Sequence, residues 1–504
     1  MMEFETIKKE IAQKGEAALT GALRAAFGAV GSVRLRTSLS PVIPQEIPRD
    51  WQSKPGKHWR VGFGKATLLP EDFYEKTYYV AGYSENNPAT GCLDAPHVHA
   101  LWLDDCTGRG ALLLVSADAV GLLNADVLDI RKSLADFMRT TGCRGVHIMS
   151  THDHASIDTM GNWGPLPRTG RDKQYMRFFR EQVKKAAIDA YKDRRDGNLH
   201  FGEAEADGLQ EDVRTPIVYS KTLTRLRFVP KDGTRETWLV HFSAHAESLQ
   251  GCNSRVSADF PGAVRDAIRR ETGAEVFYIT GAIGGMITMR VENEQAIRDA
   301  GGDFAQSTRS IGENLAQTAL SVRREKKLTP CVNQLRQTFY LEADNTMLLA
   351  AKFARIVRAD SCFRPGTSLG LALRSEMTYL EIGSLHLLLV PGELFPELAY
   401  GGYLSADESS SGKGGEANPE PLTEIAQDET LRIVGLANDE VGYILPPNDF
   451  LLHPDTPYFE PTRDKHGRRH YEETNSLGPR TAETIAAVFR TMMTAVRKAR
   501  ESAE

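Results

Sequence analysis

The chain has 504 residues, 41% of them hydrophobic and 25% charged, with 61 basic against 67 acidic side chains and a formal net charge of -6. That length allows one large α/β domain or two to three ordinary ones, and the slightly acidic balance offers no electrostatic reason to expect nucleic acid as a partner. No apolar run reaches the roughly 18 to 20 residues that span a bilayer, so no transmembrane segment is expected.

In chain order, residues 1–33 mix acidic, basic and small apolar residues and read as an amphipathic helix within an N-terminal helical extension over residues 1–50, not as a secretory signal. Five short apolar runs read as buried strands: 111–116 (ALLLVS), 146–150 (VHIMS), 238–243 (WLVHFS), 276–280 (VFYIT) and 386–390 (HLLLV). Helix-like stretches lie between or after them, at 124–140, 173–192, 261–271, 304–324, 345–358 and about 480–500. Strands alternating with helices predict an α/β fold built on a mixed, partly parallel sheet flanked by helices. Residues 405–421 are polar and rich in Gly and Ser, and read as a loop; residues 454–469 read as an irregular insertion. No internal repeat and no domain boundary stands out between 50 and 490. The six cysteines, at 92, 106, 143, 252, 331 and 362, include no C-x-x-C pair. They are expected as free, buried thiols in a cytoplasmic protein, or a secreted or periplasmic one if a signal has been removed.

Four of the apolar runs are followed within two or three residues by a side chain able to ligate a metal: Asp118, His152, His245 and Glu393. Ligands gather beyond the carboxyl ends of strands in open α/β sheets, so the sequence permits these residues to converge, with a hydrogen-bonded core histidine (His245) and an N-terminal helix charge (Glu393) as the alternatives. His152 and His154 (THDH) would point the same way if the strand continued through them. His245 stands beside Glu247 in HAESL, and Glu393 follows a strand in VPGEL, where a carboxylate is costly to bury unless paired or metal-bound. Tyr443 lies in the mostly apolar GLANDEVGYILP. Neutral imidazoles with a carboxylate suit zinc. No G-x-S-x-G elbow is present, and GAIGG (281–285) lacks the partners of a phosphate loop or a dinucleotide site.

Nine segments in one order carry a further observation: VSAD (115–118), STHDH (150–154), DTMGNWGP (158–165), HAESL (245–249), VSADFPG (256–262), GAIGG, VPGEL (390–394), GLANDEVGYILP (435–446) and YEETNSLGP (471–479). Together they resemble the neutral/alkaline, non-lysosomal ceramidase family, and within it the bacterial ceramidase-like hydrolases. The resemblance implies a catalytic domain over 51–504 and a zinc ion held by His152, His245, Glu393 and Tyr443. It implies proton transfer by His154, a substrate site lined by Arg214 and Tyr471, and a catalytic role for Tyr471 in stabilising the developing oxyanion together with the zinc. It also places on Ser257 the serine once assigned as nucleophile, here either a nucleophile or a substrate-contacting support. The implied reaction is hydrolysis of the carboxamide of a small-molecule N-acyl or lipid-like substrate by metal-activated water. An esterase or another small-amide hydrolase with the same zinc, or a non-catalytic binding protein keeping the fold, are the alternatives. The chain departs from the family pattern after His154 (THDHASI), in a longer insertion between Tyr443 and Tyr471, and in ending soon after Tyr471. No immunoglobulin-like C-terminal domain is therefore expected, and a soluble or short-chain N-acyl substrate is expected in preference to long-chain ceramide. The oligomeric state is left open.

Overall fold

The computed structural model describes residue 46 and residues 51–165, 168–364 and 367–503. The N-terminal helix expected within residues 1–33 lies outside the described residues. Nine strands form the largest sheet: β1 Trp59–Thr67, β2 His97–Asp104, β3 Ala111–Ala117, β4 Cys143–Ser150, β5 Arg195–Glu205, β6 Thr222–Pro230, β7 Thr237–Phe242, β8 Glu275–Thr280 and β9 Glu325–Lys327. Their order is β8-β7-β6-β5-β1-β2-β3-β4, with β9 on β5. The outermost pairs, β8 with β7 and β3 with β4, are parallel. Every inner pair is antiparallel. The sheet is thus mixed and partly parallel, and its parallel pairs are the four apolar runs that stand out in the sequence. Residues of β3, β7 and β8 are buried almost without interruption, as strands covered on both faces must be.

A second sheet consists of β10 Val332–Glu342, β11 Ser361–Phe363, β12 Leu371–Ile382, β13 Leu385–Leu389 and β14 Arg432–Val434, in the order β10-β12-β13-β14 with β11 on β12. Only β13 stands out in the sequence as an apolar run. In β10 buried and half-buried residues alternate, Leu335, Gln337, Phe339 and Leu341 turning inward. Such a strand has the period of two that a half-covered sheet needs, without a continuous apolar signature. The two sheets share one core, in which Trp59, Phe63, Leu114 and Phe228 of the first meet Leu380, Ile382, Leu387 and Leu389 of the second.

Helices cover the outer faces. The expected helix over 124–140 is two, α1 Asn124–Ser133 and α2 Ala135–Thr141, meeting at Leu134. The expected helix 173–192 is α3, Lys173–Lys192, whose Asp172 carboxylate accepts the amides of Gln174 and Tyr175 as an N-cap. Its Tyr175, Met176, Phe179, Val183, Ala186, Ala187 and Ala190 form a buried stripe at helical spacing. This stripe lies on β1, where Gly62 and Gly64 leave room for the helix backbone: a Cβ at either would come within 2.1 Å of the Ala190 or Ala186 carbonyl oxygen. Helices α4 Asp259–Thr272 and α5 Ala305–Ser321 pack together over β7 and β8. The shorter α6 Thr346–Phe353 and the terminal α7 Thr481–Ala503 follow, α7 burying Phe489, Met492, Met493 and Val496 against the second sheet. The polar segment 405–421 is a loop containing a single short 3-10 turn, pinned where the Ser411 hydroxyl donates to the Asn448 carbonyl and the Ser410 amide to Asp449. None of the six cysteines is in a disulfide; Cys143 is buried, Cys252 exposed and the rest half-buried, so the expected burial holds for Cys143 alone. Among the described residues no helix is long and apolar enough to cross a membrane.

Candidate active site

The carboxyl ends of the parallel strands converge. Beyond β4, the Ser150 amide donates to Leu436 and the Asn438 amide to Ile148, tying the first sheet to the segment that follows β14. Gly435 sits where a Cβ would lie 2.6 Å from the Gly281 carbonyl oxygen, so the ends of β8 and β14 meet backbone to backbone. Four residues beyond the second sheet's β13, Glu393 pairs in parallel with Tyr443 through the short strands Glu393–Leu394 and Tyr443–Ile444. His152, two residues past β4, adopts a left-handed backbone with φ 60°. That conformation costs a non-glycine residue about 1–2 kcal/mol. The amides of Thr151 and Asp153, bonded to Ala117 and Ala119, hold it in place. The H-x-H pair is therefore not on a strand; it turns out of the strand end and still brings both rings inward.

His152, His154 and His245 have ring centroids 4.6 to 5.7 Å apart, and one ligand atom of each lies within 4.8 Å of the others. His152 Nδ1 donates to the Val120 carbonyl at 2.7 Å and His245 Nδ1 to the Ile287 carbonyl at 2.9 Å. A carbonyl only accepts, so each neutral ring carries its lone pair on Nε2. Those lone pairs face a carboxylate: Glu393 Oε2 lies 2.9 Å from His245 Nε2 and 3.3 Å from His152 Nε2. His154 Nε2 is 3.0 Å from His152 Nε2. The cluster is buried, and so many lone pairs aimed at one point require a cation between them, a proton or a metal ion. Burial opposes the Glu393 anion, yet the flanking His152 and His245 hold its carboxyl below the ordinary range. Burial lowers His245, but Glu393 outweighs it and leaves the imidazole raised. Burial and the two neighbouring imidazoles hold His154 well below its usual value.

Tyr443 stands beside this point with its hydroxyl on Met286 Sδ at 3.3 Å, and its ring meets Tyr471 edge to face at 6.2 Å. The other expected site residues are engaged elsewhere. The Ser257 hydroxyl donates to Asp94 at 2.7 Å and accepts the Asp259 amide at 3.1 Å. Neither partner is an imidazole that could activate it as a nucleophile. Arg214 is 10% exposed at its side chain and lies against Glu472 (2.8 Å), Asp449 (3.0 Å) and Glu473 (3.2 Å), stacked over Phe395 at 5.1 Å. Its guanidinium is occupied by protein carboxylates, and it reaches the site through the turn that carries Tyr471. Asp118, at the end of β3, accepts from Arg265 at 2.6 Å and from the His97 amide at 2.9 Å, outside the histidine cluster.

Two buried acids and a tyrosine escape sequence reasoning. Burial and nearby Glu393 raise the Glu440 carboxyl well above its usual value. Glu247 accepts the Tyr83 hydroxyl at 2.7 Å. Glu247 has a faint sequence signal, standing two residues from His245; Tyr83, in a turn far from any metal-ligating type, has none.

No known protein-family model and no curated protein matches this chain. Solved structures do. A neutral ceramidase from Pseudomonas aeruginosa superposes with a TM-score of 0.62 at 15% sequence identity, covering 88% of this chain and 75% of that one. A ceramidase complexed with C2 superposes with a TM-score of 0.63 at the same identity and coverage. The likeness is one of fold, over nearly all of the chain, and it agrees with the family that the nine sequence segments resemble.

Proposed function

We propose that this protein is a metal-dependent hydrolase that holds zinc and cleaves the carboxamide of an N-acyl compound. The observation that carries the reading is that Glu393 Oε2 lies 2.9 Å from His245 Nε2 and 3.3 Å from His152 Nε2, while ligand atoms of His152, His154 and His245 all lie within 4.8 Å of one another. Two neutral imidazoles that share one carboxylate are donors of the type that holds zinc. When bound, zinc would lower the pKa of a water to roughly 7 and polarise the scissile carbonyl.

The chain's own groups account for the rest. His152, His245 and Glu393 hold the ion, with Tyr443 beside Glu393 as the remaining ligand. The carbonyls of Val120 and Ile287 keep the first two rings in the tautomer that exposes Nε2. His154 handles the proton at its Nε2 and delivers it to the leaving amine. Tyr471, packed edge-on against Tyr443, offers its hydroxyl to the developing oxyanion. Arg214 positions the Tyr471 turn, and Ser257 supports the loop behind His154, its backbone amide donating a hydrogen bond to the Ala155 carbonyl. The fold shared with two ceramidases makes N-acyl, lipid-like amides the first class to try. The test is elemental analysis of purified protein, with turnover of short- and long-chain N-acyl amides and the matching esters. About one zinc per chain and cleavage of the amides, the soluble short-chain ones foremost, are expected. Active protein free of transition metal would overturn the metal reading, and turnover of esters alone would make this an esterase.

A further inference from the structure

Two of the three clustered imidazoles are oriented by backbone carbonyls, and the third is not. His154 Nδ1 is buried and has no hydrogen-bond partner. Its nearest acceptor of note is Glu247 Oε2, 3.7 Å away. Glu247 is itself 4% exposed, and among the described residues no lysine or arginine pairs with it. A carboxylate buried without a cation is costly. Its remaining contact is the Tyr83 hydroxyl, which donates to Oε2 at 2.7 Å. Tyr83 also packs its ring edge to face on His154, with centroids 5.2 Å apart.

The backbone holds these three side chains in register. The His154 amide donates to the Ala246 carbonyl at 2.9 Å, and Asp153 and Ala246 form a parallel bridge, so the segments carrying His154 and Glu247 run side by side. Gly82 has φ 108°, and a Cβ there would come 2.5 Å from the His154 ring. Only glycine brings residue 83 that close. The arrangement is therefore built, with the imidazole clamped between Gly82–Tyr83 on one side and the other two histidines on the other.

We infer that Glu247, locked by Tyr83, is the positioning carboxylate for His154: it accepts a hydrogen bond from a protonated Nδ1 and leaves the Nε2 lone pair facing the reacting centre. This rests on the reading of the histidine cluster as that centre. His154 Nε2 now lies 3.0 Å from His152 Nε2 and can share a proton with it. Once His152 Nε2 is given to a metal, it no longer accepts, and the His154 proton belongs on Nδ1, where Glu247 waits. Carboxylates that fix the tautomer of a site histidine contribute about 10- to 100-fold to activity or metal affinity. Glu247 and Tyr83 never touch the reacting atoms in this scheme; they act through the ring.

The experiment uses the zinc-loaded full chain with 15N-labelled histidine, the His154 signals being assigned by their loss in His154→Ala. The imidazole nitrogen shifts should report a protonated Nδ1 in the wild type and a mixed or reversed tautomer in Glu247→Ala. With a chromogenic short-chain N-acyl anilide, Glu247→Ala should lower kcat about 10- to 100-fold and keep zinc content and KM near wild type. Glu247→Asp should recover part of the loss, and Tyr83→Phe should give a smaller loss of the same kind. An unchanged tautomer in both Glu247→Ala and Tyr83→Phe would overturn the inference, whatever their activity. The tautomer is read without turnover, so a wrong substrate class does not obscure the answer. Where Glu247→Ala fails to fold, Tyr83→Phe, which removes one hydroxyl, carries the same test.

Discussion

Replacing Arg214 with alanine removes one guanidinium and leaves Asp449, Glu472 and Glu473 facing one another in a buried space. The guanidinium lies within 2.8 to 3.2 Å of all three carboxylates and within 3.2 Å of His470 Nδ1. Opposite charge dominates its surroundings, for its pKa stays above the ordinary arginine value in spite of burial, which acts to lower it. Removing one partner of a buried ion pair costs about 3–5 kcal/mol because the other charge is stranded. Unfolding entropy near the midpoint is about 2.1 cal/mol/K per residue, or roughly 1 kcal/mol/K over 504 residues. The melting temperature should therefore fall by about 3–5 °C in differential scanning calorimetry. Activity should fall as well, because Glu472 and Glu473 adjoin Tyr471 and the Asp449 carboxylate anchors the 405–421 loop through Ser410. Arg214→Lys keeps the charge but not the fork that spans three acids, so it should lie between the two. A variant Arg214→Ala melting within about 1 °C of wild type would show that the cluster carries little of the stability assigned to it.

Other outcomes follow from the same geometry. His245→Ala should lose most of the zinc by elemental analysis, whereas His154→Ala should keep the zinc and lose about 10²–10⁴-fold in kcat, as expected of a proton-transfer group; zinc loss from His154→Ala would place that residue among the ligands. Ser257→Ala removes the acceptor for the Asp259 amide and the donor to Asp94, and should cost about 1–2 kcal/mol in denaturant unfolding with no acyl-enzyme in intact-mass spectra of the wild type; an acyl adduct on Ser257 would make it a nucleophile. Burial raises the Asp439 carboxyl to about 7, against hydrogen bonds from Ser375 and two amides that lower it. The folded state then holds a proton that the unfolded state releases near pH 4. Its stabilising contribution is full below pH 4 and is lost as the pH rises toward 7, at up to about 1.4 kcal/mol per pH unit. Asp439→Asn should flatten that slope in urea titrations at pH 4.5, 5.5 and 6.5; an unchanged slope would refute the assignment.

What the sequence determined by itself is local. The Asp172 cap and the spacing of Tyr175, Phe179, Val183 and Ala186 suffice for α3, and the unbroken apolar runs suffice for β3, β4, β7, β8 and β13, because helix and strand periods are written in adjacent residues. The order of ligand types after those strands is equally visible, and so is the family they resemble. The strands β10 and β12 are not: the alternating residues of β10 become a strand only once α7 covers one face, and β12 buries Ser375, Glu376, Thr378 and Glu381 among its apolar residues. Tertiary structure alone decided partnership. His152 and Glu393 meet across more than two hundred residues, while Asp118, a similar candidate in sequence, is captured by Arg265. Arg214 and Ser257 are likewise claimed by carboxylates that lie far away in the chain. A side chain's chemistry depends on the charge and the lone pairs that face it, and those come from segments brought together by packing of the whole core.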